Sequence, residues 1–155
     1  DECSLNGVSG DIVDQTSNVN GGSNGVSDTI EDAVINKSLD LSATDISDWI
    51  SVPSSVIDGI DDFSIAVWFK TSVTKSQQEI LHALGSDTND DELEIFLKDS
   101  NIVYVKVKGS SEELLSTINL TDDNWHHMVL TRVGQDVCLF IDGAQQQCKN
   151  SVSSG

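Results

Sequence analysis

The sequence predicts an all-β fold, a two-sheet sandwich or jelly roll. Three observations carry that expectation. From Lys37 onward the chain is a succession of short β-like runs, apolar and polar residues alternate inside them, and turn residues rather than an amphipathic helix separate them. At 155 residues there is room for one domain with one core.

The first stretch, NGVSGDIVDQTSNVNGGSNGVSDTIEDA, is rich in Gly, Asn, Ser and Asp and has almost no apolar periodicity, so it reads as loops with one short strand. The runs KSLDL, DWISVP, FSIAVWFK and QEILHAL follow as strands, and in the last of these His82 alternates with Ile80 and Leu84 as a core-facing position would. ELEIFLK and NIVYVKVK form a hairpin whose register can be read directly. Leu93, Ile95 and Leu97 alternate with polar or aromatic residues, as do Val103, Val105 and Val107, and a loop of Asp99, Ser100 and Asn101 matches the two aliphatic faces. The outer face then sets Glu94 against Lys106, Glu92 against Lys108 and Phe96 against Tyr104, each pair worth roughly 0.2 to 1 kcal/mol. Asn101 takes the position where a left-handed backbone is tolerated. ELLSTINL is the next strand.

NWHHMVLTRVGQDVCLFIDG closes the series. Strand spacing in WHHMVLTR points His126 and His127 to opposite faces, so one metal ion cannot take both, and the expected role of His127 is a partly buried ring hydrogen-bonded beside Trp125. DVCLFID forms the next strand, with Asp142-Gly143 as a hairpin turn. Cys3, Cys138 and Cys148 are too few and too scattered for a zinc site; one disulfide and one leftover thiol is the simplest account. Cys138 with Cys148 is the preferred pair. A plain two-residue turn would set Cys138 opposite Gln147, so that bridge needs a bulge, and closing so short a loop stabilises by ~3 kcal/mol at most.

Composition narrows the function. With 26 acidic against 8 basic side chains the formal charge is −18, which repels phosphate backbones and anionic membranes and makes nucleic acid a poor partner. No run approaches the ~18 apolar residues that a membrane span needs, so direct membrane insertion is not expected. No G-x-S-x-G elbow, phosphate loop or HExxH is present. Glu92 and Glu94 share a face, but Leu97 and Lys98 stand where the third acid of a glucanase-like Glu-x-Asp-x-x-Glu pattern would lie, and the facing lysines give both glutamates a structural explanation.

DQTSNVNGGSNG, DWISVP, FSIAVWFKT, NWHHMVLTR and LFIDG together resemble the laminin-G-like, concanavalin A-like jelly-roll modules. DECS, TKSQQEILHALG, DDELEIFL and DVCLFIDG are similar more narrowly to bacterial agglutination proteins associated with biogenesis of mannose-sensitive haemagglutinin (MSHA) pili, over nearly the whole chain. The resemblance implies one antiparallel two-sheet sandwich over residues 1–155, exported to a bacterial cell surface. It also implies that the closing strands, a segment resembling IGQ and one resembling DEFKI, are missing after SVSSG, which would leave an open edge. The family pairs its early cysteine with one near position 36, where this chain has Asn36, so Cys3 is expected to be free.

Such modules often hold calcium near the loop that here reads DQTSNVNGG. Asp14, Asn18 and Asn20 are the candidate oxygen ligands, with surface Asx turns as the competing account. The expected function is non-catalytic adhesion, with carbohydrate or a cell-surface protein as partner. Its candidate ligand face is Glu94, Phe96, Tyr104 and Lys106 together with Trp49, since sugars stack on rings and hydrogen-bond to fixed polar groups. That face could equally be the interior of a second packed layer. A structural or assembly module without sugar binding is the alternative, and glycoside hydrolysis a more distant one. The particular glycan and the oligomeric state are not readable from the sequence.

Overall fold

A computed structural model of the chain describes residues 11–12, 21–24, 27–29, 33–34, 38–41, 49–53, 56, 60–84, 91–98, 101–107 and 113–150. Among them the regular elements are β-strands, as the alternation predicts, and no helix is long and apolar enough to cross a membrane. The chain divides into two compact units, residues 1–58 and 59–155.

The first unit holds β1 (Asp11–Ile12), β2 (Gly21–Asn24), β3 (Ser27–Thr29), β4 (Ser38–Asp40) and β5 (Trp49–Ser51). They pair antiparallel as β1-β2-β5 and β3-β4. This corrects the expectation of loops with one short strand, because β1, β2 and β3 all fall in that polar stretch. Backbone pairing needs no apolar side chains, and Gly21 favours it: a Cβ there would collide with the Ser51 carbonyl oxygen.

The second unit holds β6 (Phe63–Phe69), β7 (Gln77–Leu84), β8 (Asp91–Lys98), β9 (Ile102–Val107), β10 (Glu113–Leu115), β11 (His126–Val133), β12 (Asp136–Ile141) and β13 (Ala144–Asn150). They form two antiparallel four-stranded sheets, ordered β10-β9-β8-β7 and β13-β12-β11-β6. In the first, Leu93, Ile95, Leu97, Val103, Val105, Val107 and Leu114 are buried; in the second, Met128, Leu130, Val137, Leu139 and Ile141 are. Cross-strand register gathers these residues, since Leu130 pairs with Leu139 on one side and Ile65 on the other, and Met128 with Ile141 and Val67. Burial of that aliphatic set is the main stabilising term for this unit.

The β8–β9 hairpin has the register read from the sequence, with Ile95 opposite Val105 and Phe96 opposite Tyr104. Asn101 sits at φ 61 and its N–H donates to the Lys98 carbonyl at 2.7 Å. Lys108 lies outside the described residues, so its pairing with Glu92 is not described. ELLSTINL leaves the sheet earlier than expected, after Leu115. Ser116 explains the exit: its hydroxyl accepts the Val103 N–H at 2.8 Å while its own N–H donates to the Val103 carbonyl at 2.9 Å, so Leu120 can still reach the core off the ladder.

Cys138 and Cys148 are joined by a disulfide. The turn before β13 has both central residues left-handed, Asp142 at φ 51 and Gly143 at φ 79, as a type I′ hairpin requires. Register then slips between Leu139 and Phe140, so that Cys138 faces Cys148 and not Gln147. The residue left unpaired is Gln146. Its side-chain oxygen accepts hydrogen bonds from the Thr117 N–H at 3.0 Å and hydroxyl at 2.9 Å, and Gln147 accepts the Leu115 N–H at 2.8 Å, which ties the segment around β10 to β13 in the other sheet. One inserted residue thus aligns the thiols and links the two sheets.

Cys148→Ser is expected to lower the unfolding free energy by about 3 kcal/mol, because the bridge spans a sequence separation of only 10. Leu139→Ala, at a fully buried position, should cost about 2–5 kcal/mol. Urea denaturation of the oxidised proteins measures both.

Candidate functional site

On the outer face of β10-β9-β8-β7 the structure brings Glu94, Phe96, Tyr104 and Lys106 together. The two rings lie 4.7 Å apart between centroids at 30°, and Lys106 Nζ is 3.3 Å from Glu94 Oε2. Phe96 and Tyr104 are each only 7% exposed, and Lys98 Nζ stands 4.6 Å over the Tyr104 ring. This corrects the picture of an open stacking surface at that ring pair: the lysine caps the tyrosine by cation–π contact and the two rings use their faces on each other. What this face offers outside is charge.

A second correction concerns His82, which faces outward and not into the core. The alternation of Ile80, His82 and Leu84 is broken by a bulge between Glu79 and Leu81, after which Leu81 pairs with Ile95 on the core side and His82 with Glu94 on the outer side. His82 Nε2 lies 3.9 Å from Glu94 Oε1. Glu79, three residues earlier, is on the same outer face opposite Phe96.

Trp49 stands on β5 in the first unit, opposite Asn24 and 51% exposed. Asp14, Asn18, Asn20 and Cys3 lie outside the described residues.

The outer face of β13-β12-β11-β6 carries an aromatic pair that the sequence reading missed. Trp68 on β6 pairs with His127 on β11, and their rings stack at 4.6 Å and 25°. Trp68 remains 43% exposed. Beside them Val129, Phe140 and the Cys138–Cys148 bridge are partly exposed on the same face. His127 therefore rests on Trp68 of the neighbouring strand, a partner that the expected place beside Trp125 did not include. The alternation of FSIAVWF does set Trp68 with Ser64 and Ala66 on the polar face; the partner strand is what sequence could not supply.

The buried histidine is His126, 8% exposed. Its Nδ1 is 2.8 Å from Asp142 Oδ2 and its Nε2 is 3.0 Å from Asp122 Oδ1. Carboxylates only accept, so an imidazolium donating from both nitrogens satisfies the pair. Desolvation opposes that charge, but the hydrogen bonds to Asp142 and Asp122 outweigh it and raise the His126 pKa above its ordinary 6.5. Asp122 is lowered to about 2, first by the Asn124 side chain and then by His126. Asp142 is lowered as well: burial works against it, and the His126 ring and the His127 N–H prevail. Asp142 also accepts the His127 N–H at 2.8 Å while its own N–H donates to the His127 carbonyl at 2.8 Å. With both ring nitrogens engaged, His126 has no lone pair to act as a base. It clamps the β12–β13 turn to the loop before β11.

These surfaces belong to a module of two antiparallel sheets whose outer faces carry exposed aromatic and charged groups. The profile of the family described as the concanavalin A-like lectin/glucanases superfamily matches residues 44–154, and the chain belongs to that superfamily. Among solved structures, the binding domain of Paraclostridial Mosquitocidal Protein 1 is similar at a TM-score of 0.70 and 20% identity, over 90% of this chain and 37% of that one. A domain of an S-layer domain-containing protein from Clostridium thermocellum is similar at a TM-score of 0.60 and 20% identity, over 99% of this chain and 71% of that one. The chain thus spans well under half of the first of these, and at such identity the likeness is one of fold. No curated protein matches the sequence.

The His126 clamp makes stability depend on pH in a defined direction. A raised histidine pKa stabilises in full below 6.5 and is lost as pH rises through the folded value; a lowered Asp122 pKa stabilises above 3.8 and is lost as pH falls toward about 2. The clamp's contribution is therefore greatest between pH 3.8 and 6.5. Asp142→Asn, which keeps a good turn residue, should flatten the decline above that window in urea midpoints measured against pH.

Proposed function

We propose that the chain is a non-catalytic binding module acting outside the cell, which recognises carbohydrate on an exposed aromatic platform. The observation that carries this reading is Trp68, exposed on a sheet face with its ring stacked against that of His127. A fixed indole plane is what a pyranose stacks on, and it loses little side-chain freedom when the sugar arrives. Trp49, in the first unit, is a separate exposed indole, and Glu94 and Lys106 lie on the outer face of the other sheet as a separate polar surface. The charge of −18 favours neutral over anionic glycans. Membership of a lectin/glucanase superfamily and the likeness to a toxin's binding domain support the same reading. Calcium held by Asp14, Asn18 and Asn20 belongs to the proposal on their oxygen-donor chemistry.

A glycan array, run with calcium and with a chelator on the same folded sample, tests it. The expected result is saturable binding to a neutral sugar class, weakened roughly tenfold by Trp68→Ala, which corresponds to about 1.4 kcal/mol. Loss of binding in the chelator would support the calcium ligands. Silence from a well-folded sample would sink the carbohydrate reading.

The second reading is a structural or assembly module of the cell surface, which the likeness to an S-layer domain-containing protein favours. A part in MSHA-type pilus biogenesis rests on the sequence resemblance. Hydrolysis is the third. Glu79 and Glu94 do set two carboxylates on one face, but the Lys106 ammonium 3.3 Å from Glu94 gives that carboxylate a structural partner. Incubation with β-glucan is expected to release no reducing sugar; release that Glu94→Gln abolishes would overturn the non-catalytic assignment.

A further inference from the structure

We infer that Glu79, His82 and Glu94 form a binding site for a first-row divalent cation, with zinc as the natural probe. One ligand atom from each residue lies within 4.8 Å of the other two. A tetrahedral ion with bonds of about 2.0–2.2 Å sets its ligands some 3.3–3.6 Å apart, so small side-chain rotations close the set. His82 Nε2 and Glu94 Oε1, at 3.9 Å, are already near that spacing.

The backbone explains how three such groups meet. Residues three apart in a regular strand point to opposite faces, so Glu79 and His82 would be separated by the thickness of the sheet. The bulge at Ile80 reverses the parity between them and sets both beside Glu94 of the adjacent strand. Bulges commonly re-aim a side chain in this way, and the sheet gives up a regular ladder at this point for it.

Groups outside the triad hold its carboxylates in place. Lys106 takes Oε2 of Glu94 at 3.3 Å, which leaves Oε1 as the oxygen turned to His82. The Gln77 amide donates to Oε1 of Glu79. Outer partners of this kind orient ligating carboxylates in metal sites, and here each glutamate is anchored through one oxygen. Lys106 also offsets one of the two negative charges, so the triad with a neutral imidazole carries a residual −1 that a divalent cation reverses. The donor set of one imidazole and two carboxylates suits zinc and its neighbours better than calcium, which takes six to eight oxygens. Glu79 and His82 are exposed, so coordination positions beyond the three protein ligands open to solvent.

This inference stands apart from the carbohydrate reading, because its readout is metal uptake with no glycan present. Calorimetric titration of the whole chain with zinc chloride should show one saturable site, weakened at least tenfold by His82→Gln and by Glu79→Gln and indifferent to excess calcium. On the unmodified chain, side-chain nitrogen NMR should show the His82 ring shifting over the first equivalent of zinc while His126, held by Asp122 and Asp142, stays in place. Absence of zinc uptake, uptake unchanged in both variants, or a titration that moves His127 and not His82 would overturn the site.

Discussion

Side-chain parity along a strand is the constraint on which the rest of this structure depends. Because the period is two, one inserted residue reverses every face that follows it. Two such reversals set side chains that matter here, one in β13 and one in β7. In β13 the reversal brings Cys148 opposite Cys138 and frees Gln146 to reach Thr117. In β7 it turns His82 away from the core and toward Glu94. The register shifts once more between Ala83 and Leu84, while the aliphatic residues of β8, β9, β11 and β12 keep the alternation that forms the buried layer.

The surface is organised by a different rule. A chain with so large an excess of acid must place its few cations well, and Lys106, Lys98 and Lys70 are each set against a carboxylate or a ring. His126 adds a further positive charge where two aspartates converge, between the loop before β11 and the β12–β13 turn. That placement favours a protonated ring in a site where burial alone would have favoured a neutral one. The same turn geometry that makes Asp142 left-handed also points its carboxylate back at His126 and His127, so turn chemistry and charge chemistry converge on one residue.

The hairpin of β8 and β9 was legible to the residue, because two alternating runs joined by a short loop admit one register that buries both aliphatic faces. The Asp142-Gly143 turn was legible for a similar reason. The bulges were less so. For the cysteines the need for an extra residue followed from the counting, but nothing in QEILHAL announces that Ile80 is skipped, and His82 was accordingly placed on the wrong face. The Trp68–His127 stack escaped because β6 and β11 are joined through many intervening residues, and sequence alternation says which face a residue takes but not which strand lies beside it. Whether Phe96 and Tyr104 faced a ligand or a packed interior was left open by the sequence, because the reach of a diagonal lysine over the Tyr104 ring is an effect that pairing rules omit. In the first unit KSLDL and DWISVP were legible as β4 and β5, but the polar stretch before them holds three strands where one was expected, because Gly- and Ser-rich sequence pairs through its backbone alone.

The covalent link between β12 and β13 has a mechanical side. A strand held only by hydrogen bonds can be unzipped by tension applied at its end. Between Cys138 and Cys148, however, the pull passes through the sulfur bridge, and the intervening turn bears none of it. With a separation of 10 residues, roughly 35 Å of extended chain is withheld from any stretching. Under a pull at the end of β13, load would travel along β12 into the centre of its sheet, where the neighbouring strand resists by shear along its whole length, and the hairpin tip with its Asp142 clamp would keep its shape under strain.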